Sequence, residues 1–369
     1  MDDARVQEAR QVRRLFDGTR LQVARELRGL TQRALADAAH VSPAAIGQFE
    51  KGATTPNSRT LINIAEAVRF PLRYFKNDVS DSRPDTPAYF RSLRSTSVRD
   101  QKQARAFVEL VREFTLALET TVELPPNTIP CYPITPSRDD RLAIEQVTSL
   151  VRDEWGMAED EPVDNVVRRL ERHGAVVTRA QFGFEKIDAF SVAYEDRPVV
   201  VLCSDKNLYD RSRFDAAHEL GHLVMHQPDD CGQKATEQQA NQFAAAFLMP
   251  AEGIIQELPA RADWAELVTL KRRWGVSIAS LLFRAKTLGT MSPERYLDAV
   301  KTMSARGWRR QEPEPLGPAE SPALLREAIS LLDSEGLTTE ELAELTSLPT
   351  DQVEQILQAA ALTKPRVRL

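Results

Sequence analysis

Apolar residues recur at helical spacing along most of the chain, and only two short runs have the character of strands. Segment 98–123 predicts one long helix, because its apolar positions return every three or four residues. Segments 175–178 and 198–202 are rich in valine, which favours buried strands. The pattern therefore predicts a mostly helical α+β fold with a small sheet.

Proline-rich and polar breaks divide this pattern into five segments. Residues 1–77 are predicted to be a helical domain, 78–137 a linker with a connecting helix, 138–310 a mixed domain, 311–322 a proline-rich linker, and 323–369 a small helical unit that resembles a helix-turn-helix. The sequence shows no internal repeat of the kind that marks a solenoid.

The composition is that of an ordinary globular protein, with 42% hydrophobic and 28% charged residues in a chain of 369. No apolar run is long enough to span a bilayer, and the charged N-terminus lacks the apolar core of a signal peptide. Three cysteines, at positions 131, 203 and 231, are too few and too far apart for a disulfide framework. We therefore expect a cytoplasmic protein with no membrane partner.

Charge is distributed unevenly along the chain, although the net charge is only −6. Residues 1–77 carry 13 Lys and Arg against 8 Asp and Glu. Residues 320–360 carry 9 acidic residues against one basic residue, Arg326. A basic N-terminal segment and an acidic C-terminal segment suggest different partners for the two ends.

Residues 30–52 have the pattern of a helix-turn-helix. Thr31 and Ser42 are expected to cap its two helices, and Pro43 suits the first position of the second. Small outward side chains let that helix enter the major groove, where Gln can pair with adenine and Lys with phosphate. The candidate DNA contacts are Gln32, Arg33, Ser42, Ala44, Ala45, Gln48 and Lys51. A bundle that makes only protein contacts is the alternative, and the local basic excess argues against it.

Motifs at fixed spacing make this segment similar to the XRE (phage-repressor-like) family. The matching positions are Gly29-Leu30-Thr31-Gln32, Leu35-Ala36, Val41-Ser42, Ile46, Glu50-Lys51-Gly52, Pro56 and the run from Leu61 to Ala65. The resemblance implies a five-helix-type bundle that binds a double-stranded DNA operator. We expect a homodimer on half-sites about one helical turn apart.

The stretch His218-Glu219-Leu220-Gly221-His222 places two imidazoles four residues apart, and therefore on one face of a helix. Both can reach one metal ion, and Glu219 beside them can take a proton from water. The alternative is an amphipathic helix whose histidines are only packed. The acidic helix that follows the motif argues against that alternative.

A catalytic zinc ion usually has three protein ligands, and two residues are candidates for the third. His226 lies eight residues after His218, about 12 Å along a helix, which bonds of about 2 Å hardly span. His226 is therefore expected to line the cleft or to pack. Glu237, at the start of a second helix, is the better candidate, and Asn241 one turn later could hold a ligating imidazole by its other nitrogen.

These residues resemble the ImmA/IrrE family of zinc metallopeptidases. The similarity covers 213–223, His226 and 237–250, together with 90–94, 187–191 and 197–201 upstream, and with the first domain it spans most of residues 20–290. It implies a zincin-like domain that binds Zn²⁺ through His218, His222 and Glu237. Glu219 would be the general base. One departure is Gln239, where many members have an acidic residue, and a ligand at that position would be lost here.

Other groups carry weaker signals. Tyr194, Tyr209 and His226 could stabilise an oxyanion, although each is expected to be structural. Cys231 could approach the zinc ion, but a loop cysteine is the plainer interpretation. The C-terminal unit is acidic and would repel DNA phosphates, so we expect it to bind a partner, to dimerise or to support the fold.

Together these features predict a transcriptional regulator that carries a zinc-dependent endopeptidase. The family precedent is cleavage of a repressor protein in a stress response such as that to DNA damage, or in mobile-element control. The substrate could also be this chain itself. The alternative, from another functional class, is a non-cleaving repressor or antitoxin whose zinc domain senses a ligand or partner.

Overall fold

The computed structural model describes residues 3–76, 97–135, 140–180, 188–203, 208–227, 233–333 and 338–361. By their contacts these residues form two compact units. The first unit holds the N-terminal helices, residues 97–124 and the helices from 324 onward, and the second holds residues 125–323. Within the described ranges, no helix combines the length and the apolar character needed to cross a membrane.

Side-chain caps start the N-terminal helices of the first unit. These helices are α1 (Asp3–Val12), α2 (Gly18–Leu27), α3 (Gln32–Ala39), α4 (Pro43–Glu50) and α5 (Ser58–Val68). Four side chains accept a hydrogen bond from a backbone N–H of the helix that follows: Asp17, Thr31, Ser42 and Asn57. Each satisfies a donor that the first turn of a helix leaves open. The predicted caps at Thr31 and Ser42 are confirmed, and α3 and α4 form the predicted helix-turn-helix within a five-helix bundle.

A long helix, α6 (Val98–Glu119), packs against α2 in the first unit. Ser97 and Asp100 form a reciprocal capping box at its start. Phe107 and Phe114 lie on its buried face. The helix predicted over 98–123 is therefore confirmed. It belongs to the same compact unit as the helix-turn-helix.

The acidic C-terminal helices belong to the first unit as well. They are α15 (Leu324–Asp333), α16 (Thr339–Thr346) and α17 (Thr350–Ala361). Helices α15 and α16 contact α6. Asp351 on α17 accepts hydrogen bonds of 2.6 and 3.1 Å from the guanidinium of Arg28, which ends α2. The acidic segment thus meets a basic residue of the N-terminal bundle, although the two are far apart in sequence.

The second unit is built on a three-stranded sheet. Its strands are β1 (Val176–Ala180), β2 (Ala189–Val192) and β3 (Val199–Cys203), in the order β1-β3-β2. Strand β3 is parallel to β1 and antiparallel to β2. Strands β1 and β3 confirm the two valine-rich predictions. The sequence pattern does not predict β2, because a strand of 4 residues is too short to show alternation.

Helices supply the remainder of the second core. They are α7 (Arg141–Glu154), α8 (Val166–Arg172), α9 (Tyr209–Met225), α10 (Lys234–Leu248), α11 (Ala251–Ile254), α12 (Trp264–Trp274), α13 (Ile278–Leu288) and α14 (Pro293–Ala305). Helix α9 packs against β2, β3 and α10, and α10 also packs against α7. Leu220, Phe243 and Phe247 are fully buried at these contacts. Helices α9 and α10 are therefore held rigidly side by side.

The proline-rich segment 311–322 is bound to the second unit. Glu312 accepts hydrogen bonds of 2.8 and 3.0 Å from two backbone N–H groups at the start of α13. Glu320 accepts one of 3.0 Å from the backbone of α8 and pairs with the buried guanidinium of Arg213 on α9. The prolines of this segment prevent regular secondary structure. The two carboxylates accept hydrogen bonds from backbone N–H groups in the first turns of helices, and that of Glu320 also neutralises a buried positive charge. The segment predicted as a linker therefore fastens three helices together.

Candidate metal centre

Helix α9 directs two imidazoles into one cavity. His218 and His222 are one turn apart, and the Nε2 atom of each ring lies 3.1 Å from that of the other. The cavity between them has a volume of about 200 Å³. Because both Nε2 atoms face the same point, the helix supplies two ligand atoms without any loop having to order.

Helix α10 brings a carboxylate to the same point. The carboxylate oxygens of Glu237 lie 3.5 Å from Nε2 of His218 and 3.7 Å from Nε2 of His222. Gly221 on α9 allows this close approach, because a Cβ atom there would lie 3.0 Å from the ring of Phe243 on α10. The glycine of the motif is therefore a packing residue between the two helices.

The three donors fit a divalent metal ion. Their ligand atoms all lie within 4.8 Å of one another. A tetrahedral zinc ion with bonds of about 2.0–2.1 Å would separate its ligand atoms by roughly 3.3 Å. The observed separations of 3.1, 3.5 and 3.7 Å bracket that value. Two imidazoles and one carboxylate are also a ligand set found in catalytic zinc sites.

A further side chain contacts Nδ1 of each histidine. Oδ1 of Asn241 lies 3.1 Å from Nδ1 of His218, which is the contact expected from the sequence spacing. Nδ1 of His226 lies 2.9 Å from Nδ1 of His222. His226 is 4% exposed and packs behind His222, outside the group of three donors. These contacts hold the rings by the nitrogen that a metal ion would not use.

Glu219 lies beside the donors on the buried side of α9 and lines the same cavity. Ser191 on β2 donates a hydrogen bond of 2.6 Å to Oε2 of Glu219. Burial raises the pKa of Glu219 from its ordinary value of 4.5 to about 7, although the charge of His218 and the hydrogen bond from Ser191 favour the ionised form. A carboxyl group with a pKa near neutrality can both accept and return a proton. The sequence pattern does not predict this role of Ser191, because a serine in a short strand has no characteristic spacing from Glu219.

In the metal-free protein, Glu219→Gln is expected to raise stability at pH 8 by about 3 kcal/mol. The folded-state pKa of about 7 lies above the ordinary 4.5, so the folded state binds the proton more tightly than the unfolded state. The stabilisation of the folded state by this carboxyl group is fully present below pH 4.5 and is lost as the pH rises through 7. An amide has no such dependence, so the advantage of the variant should shrink toward pH 5.

Urea unfolding in the presence of a chelator at pH 5 and pH 8 measures this difference. Glu252→Gln is the matched control, because that carboxylate is exposed on α11. A gap between wild type and Glu219→Gln that is equal at both pH values would contradict the prediction.

The other catalytic candidates have structural contacts. Tyr194 is 4% exposed, and the hydroxyl of Tyr209 accepts a hydrogen bond of 3.2 Å from Arg213. Neither is among the described residues that line the cavity of the three donors. Cys231 lies outside the described residues.

A larger cavity adjoins the donor group in the second unit. Its volume is about 610 Å³, and it shares Phe214 and Asp215 of α9 with the smaller cavity. Tyr296 and Trp308 add aromatic surface, and Arg309 beside Trp308 adds positive charge. The two cavities therefore lie on either side of the same two residues of α9, and the larger one can hold several atoms of an apolar group.

The candidate DNA contacts lie on or next to α3 and α4 in the first unit. Gln32, Arg33, Ser42, Ala44, Gln48 and Lys51 are exposed, and Ala45 is half-buried. Two of them also have contacts within the bundle. Ser42 caps α4, and Gln32 donates a hydrogen bond of 2.7 Å to Glu50, which also pairs with Arg25. The role of the set in DNA binding stays a prediction.

Comparison with known protein families identifies a domain in each unit. The family model for the helix-turn-helix matches residues 21–75, which include α3 and α4. The family model for the IrrE N-terminal-like domain, a peptidase family, matches residues 170–286, which include the three donors. A search of curated proteins finds no match. The chain therefore joins an XRE-type helix-turn-helix domain to a metallopeptidase-type domain of the ImmA/IrrE family.

Proposed function

We propose that this chain is a DNA-binding regulator whose second unit cleaves a protein substrate at a zinc site. One observation carries the proposal: His218, His222 and Glu237 converge within 4.8 Å of one another, next to the buried carboxyl group of Glu219. A site that only strengthened the fold would need no proton acceptor beside its metal ligands. Structural zinc sites usually have four protein ligands, whereas three leave a position for a reacting group.

In this proposal Glu219 handles the protons of the reaction. A zinc ion held by His218, His222 and Glu237 would supply Lewis-acid chemistry to the scissile carbonyl. Glu219 takes a proton from the attacking water and passes it to the leaving amine. Its burial, which raises the pKa of the carboxyl group in the metal-free protein, makes it a stronger proton acceptor. Ser191 holds Oε2 of that carboxyl group and thereby orients it.

The cavity of about 610 Å³ gives the substrate a place to bind. A peptide that crosses the donor group would pass Phe214, which lines both cavities. An apolar side chain of the substrate can then pack against Tyr296 and Trp308. This wall of aromatic residues favours a polypeptide substrate with a large apolar residue near the bond that is cut.

The first unit would bring this activity to an operator. The N-terminus of α4, capped by Ser42, is exposed with Ala44 and Gln48, as a helix that reads the major groove must be. Lys51 at the end of α4 can contact phosphate. We propose a homodimer on paired half-sites, with a substrate that is a repressor at the same promoter or this chain itself.

Protein N-termini in host cells that express wild type or Glu219→Gln test the peptidase, with and without DNA damage. A new N-terminus found only with wild type would name the substrate, and fragments of this chain would show self-cleavage. Glu219→Gln retains the three donors, so it should still bind zinc, and operator DNA should precipitate with both proteins. The absence of any Glu219-dependent N-terminus, with zinc and DNA bound, would contradict the peptidase.

The second candidate function is a repressor or antitoxin that senses a ligand without cutting a partner. The size and aromatic lining of the larger cavity favour this alternative, because a cavity of this volume can hold a small molecule. Regulation that survives Glu219→Gln unchanged would support the sensor.

A further inference from the structure

A row of polar side chains leads from Asp140, the residue before α7, to the three donors, and its centre is Gln239 on α10. Nε2 of Gln239 donates a hydrogen bond of 2.5 Å to the carboxylate of Asp140, and its Oε1 lies 2.9 Å from Nε2 of His226. Nδ1 of His226 lies 2.9 Å from Nδ1 of His222. Gln239, His226 and His222 are 2%, 4% and 2% exposed. Four side chains thus connect in sequence, ending at a proposed metal ligand.

The carboxylate at the start of this row determines the orientation of the Gln239 amide. An ionised carboxylate only accepts hydrogen bonds, so the amide nitrogen must face Asp140. Oε1 of Gln239 then faces His226 and can only accept. The imidazole of His226 must therefore donate through Nε2.

That donation determines which nitrogen of His222 carries its proton. A neutral imidazole with its proton on Nε2 has a lone pair on Nδ1. Nδ1 of His226 therefore accepts a hydrogen from Nδ1 of His222, whose own lone pair is then on Nε2. Nε2 is the atom that faces His218 and Glu237.

We propose that Gln239 is a positioning residue, which sets the tautomer of His222 through His226 so that the lone pair of His222 is on Nε2, the atom that faces the other two donors. Asn241 does the same for His218 directly, since Oδ1 of Asn241 accepts from Nδ1 of that ring. The proposal rests on the proposed metal site, but it assigns a role to a residue outside the three donors. It also explains why glutamine suits this position: a carboxylate would face that of Asp140.

Zinc affinity of the full chain, measured by competition with a chromophoric chelator, tests the role of Gln239. Gln239→Met keeps the length and volume of the side chain but removes the acceptor, and we expect zinc binding to weaken by about 10- to 100-fold. Gln238→Met is the matched control, because its side chain is exposed on the same helix. The control should bind zinc like wild type.

A polarity swap separates positioning from packing. Gln239→Glu alone places two carboxylates together and should also weaken zinc binding. In Gln239→Glu combined with Asp140→Asn, the amide of the new asparagine can donate to the new glutamate, whose other oxygen still accepts from His226. This double variant should recover most of the zinc affinity. The absorption spectrum of bound Co²⁺ should change in Gln239→Met and in Gln239→Glu, and it should return toward that of wild type in the double variant. This spectrum reports the ligand geometry and not the stability of the fold.

Three outcomes of these zinc-binding measurements distinguish the possibilities for Gln239. Weak binding by Gln239→Met with recovery in the swap would support the proposal. Wild-type affinity in Gln239→Met, or no recovery in the swap, would overturn it while leaving the zinc site intact. Failure of wild type to bind zinc would instead overturn the proposed function, and this inference with it.

Discussion

Replacing Glu320 with alanine is expected to lower the free energy of unfolding of the second unit by about 3–5 kcal/mol. Glu320 pairs with Arg213, and the two side chains are 3% and 1% exposed. Removal of the carboxylate would leave a guanidinium charge buried without its counterion. Arg213 cannot easily turn toward water, because it also donates a hydrogen bond of 2.7 Å to the carbonyl of Val163. Glu320→Gln keeps a hydrogen-bond acceptor and should lose less.

Glu314 in the same segment supplies the control. It pairs with Arg272, but the two side chains are 48% and 59% exposed. Glu314→Ala should therefore change stability by at most about 1 kcal/mol. All 4 tryptophans of the chain, at positions 155, 264, 274 and 308, belong to the second unit, so tryptophan fluorescence during urea unfolding follows that unit. Equal losses in the two alanine variants would show that burial of the Arg213 pair has no special weight.

Zinc is expected to raise the free energy of unfolding of the wild-type second unit by about 2.7 kcal/mol at a free concentration 100 times its Kd. Glu237→Ala should lose most of this gain at the same zinc concentration. A hundredfold weaker affinity would leave only about 0.4 kcal/mol. The loss is expected because two imidazoles alone provide no negative charge and one donor fewer than a catalytic zinc ion usually has.

The same urea titrations, with and without zinc, measure this effect, and each variant without metal is its own reference. Glu252→Ala is the control, because it removes an exposed carboxylate from α11. It should keep the full zinc-dependent gain. If Glu237→Ala kept the gain and His218→Ala lost it, another residue would have to supply the third ligand.

The spacing of residues within one helix was sufficient to predict part of this site. His218 and His222 share a face because four residues complete about one helical turn, and this holds whatever surrounds the helix. The caps at Thr31 and Ser42 are local in the same sense, since each acts on a backbone N–H three residues on. Such features depend on covalent geometry and could be read from the chain alone.

Tertiary packing decided what lies around that helix. Glu237 becomes a neighbour of the two histidines because α10 packs closely against α9 at Gly221. Ser191 reaches Glu219 from a strand 28 residues away, and Glu320 reaches Arg213 across 107 residues. No periodicity links such positions, since their contacts follow from how helices and strands bury their surfaces. Residue spacing placed His218 and His222 on one face with Glu219 beside them, and the acidic start of the next helix pointed to Glu237. The distance of Glu237 from the two histidines, the burial that raises the pKa of Glu219 and the polar row behind His222 depended on how the helices and strands pack.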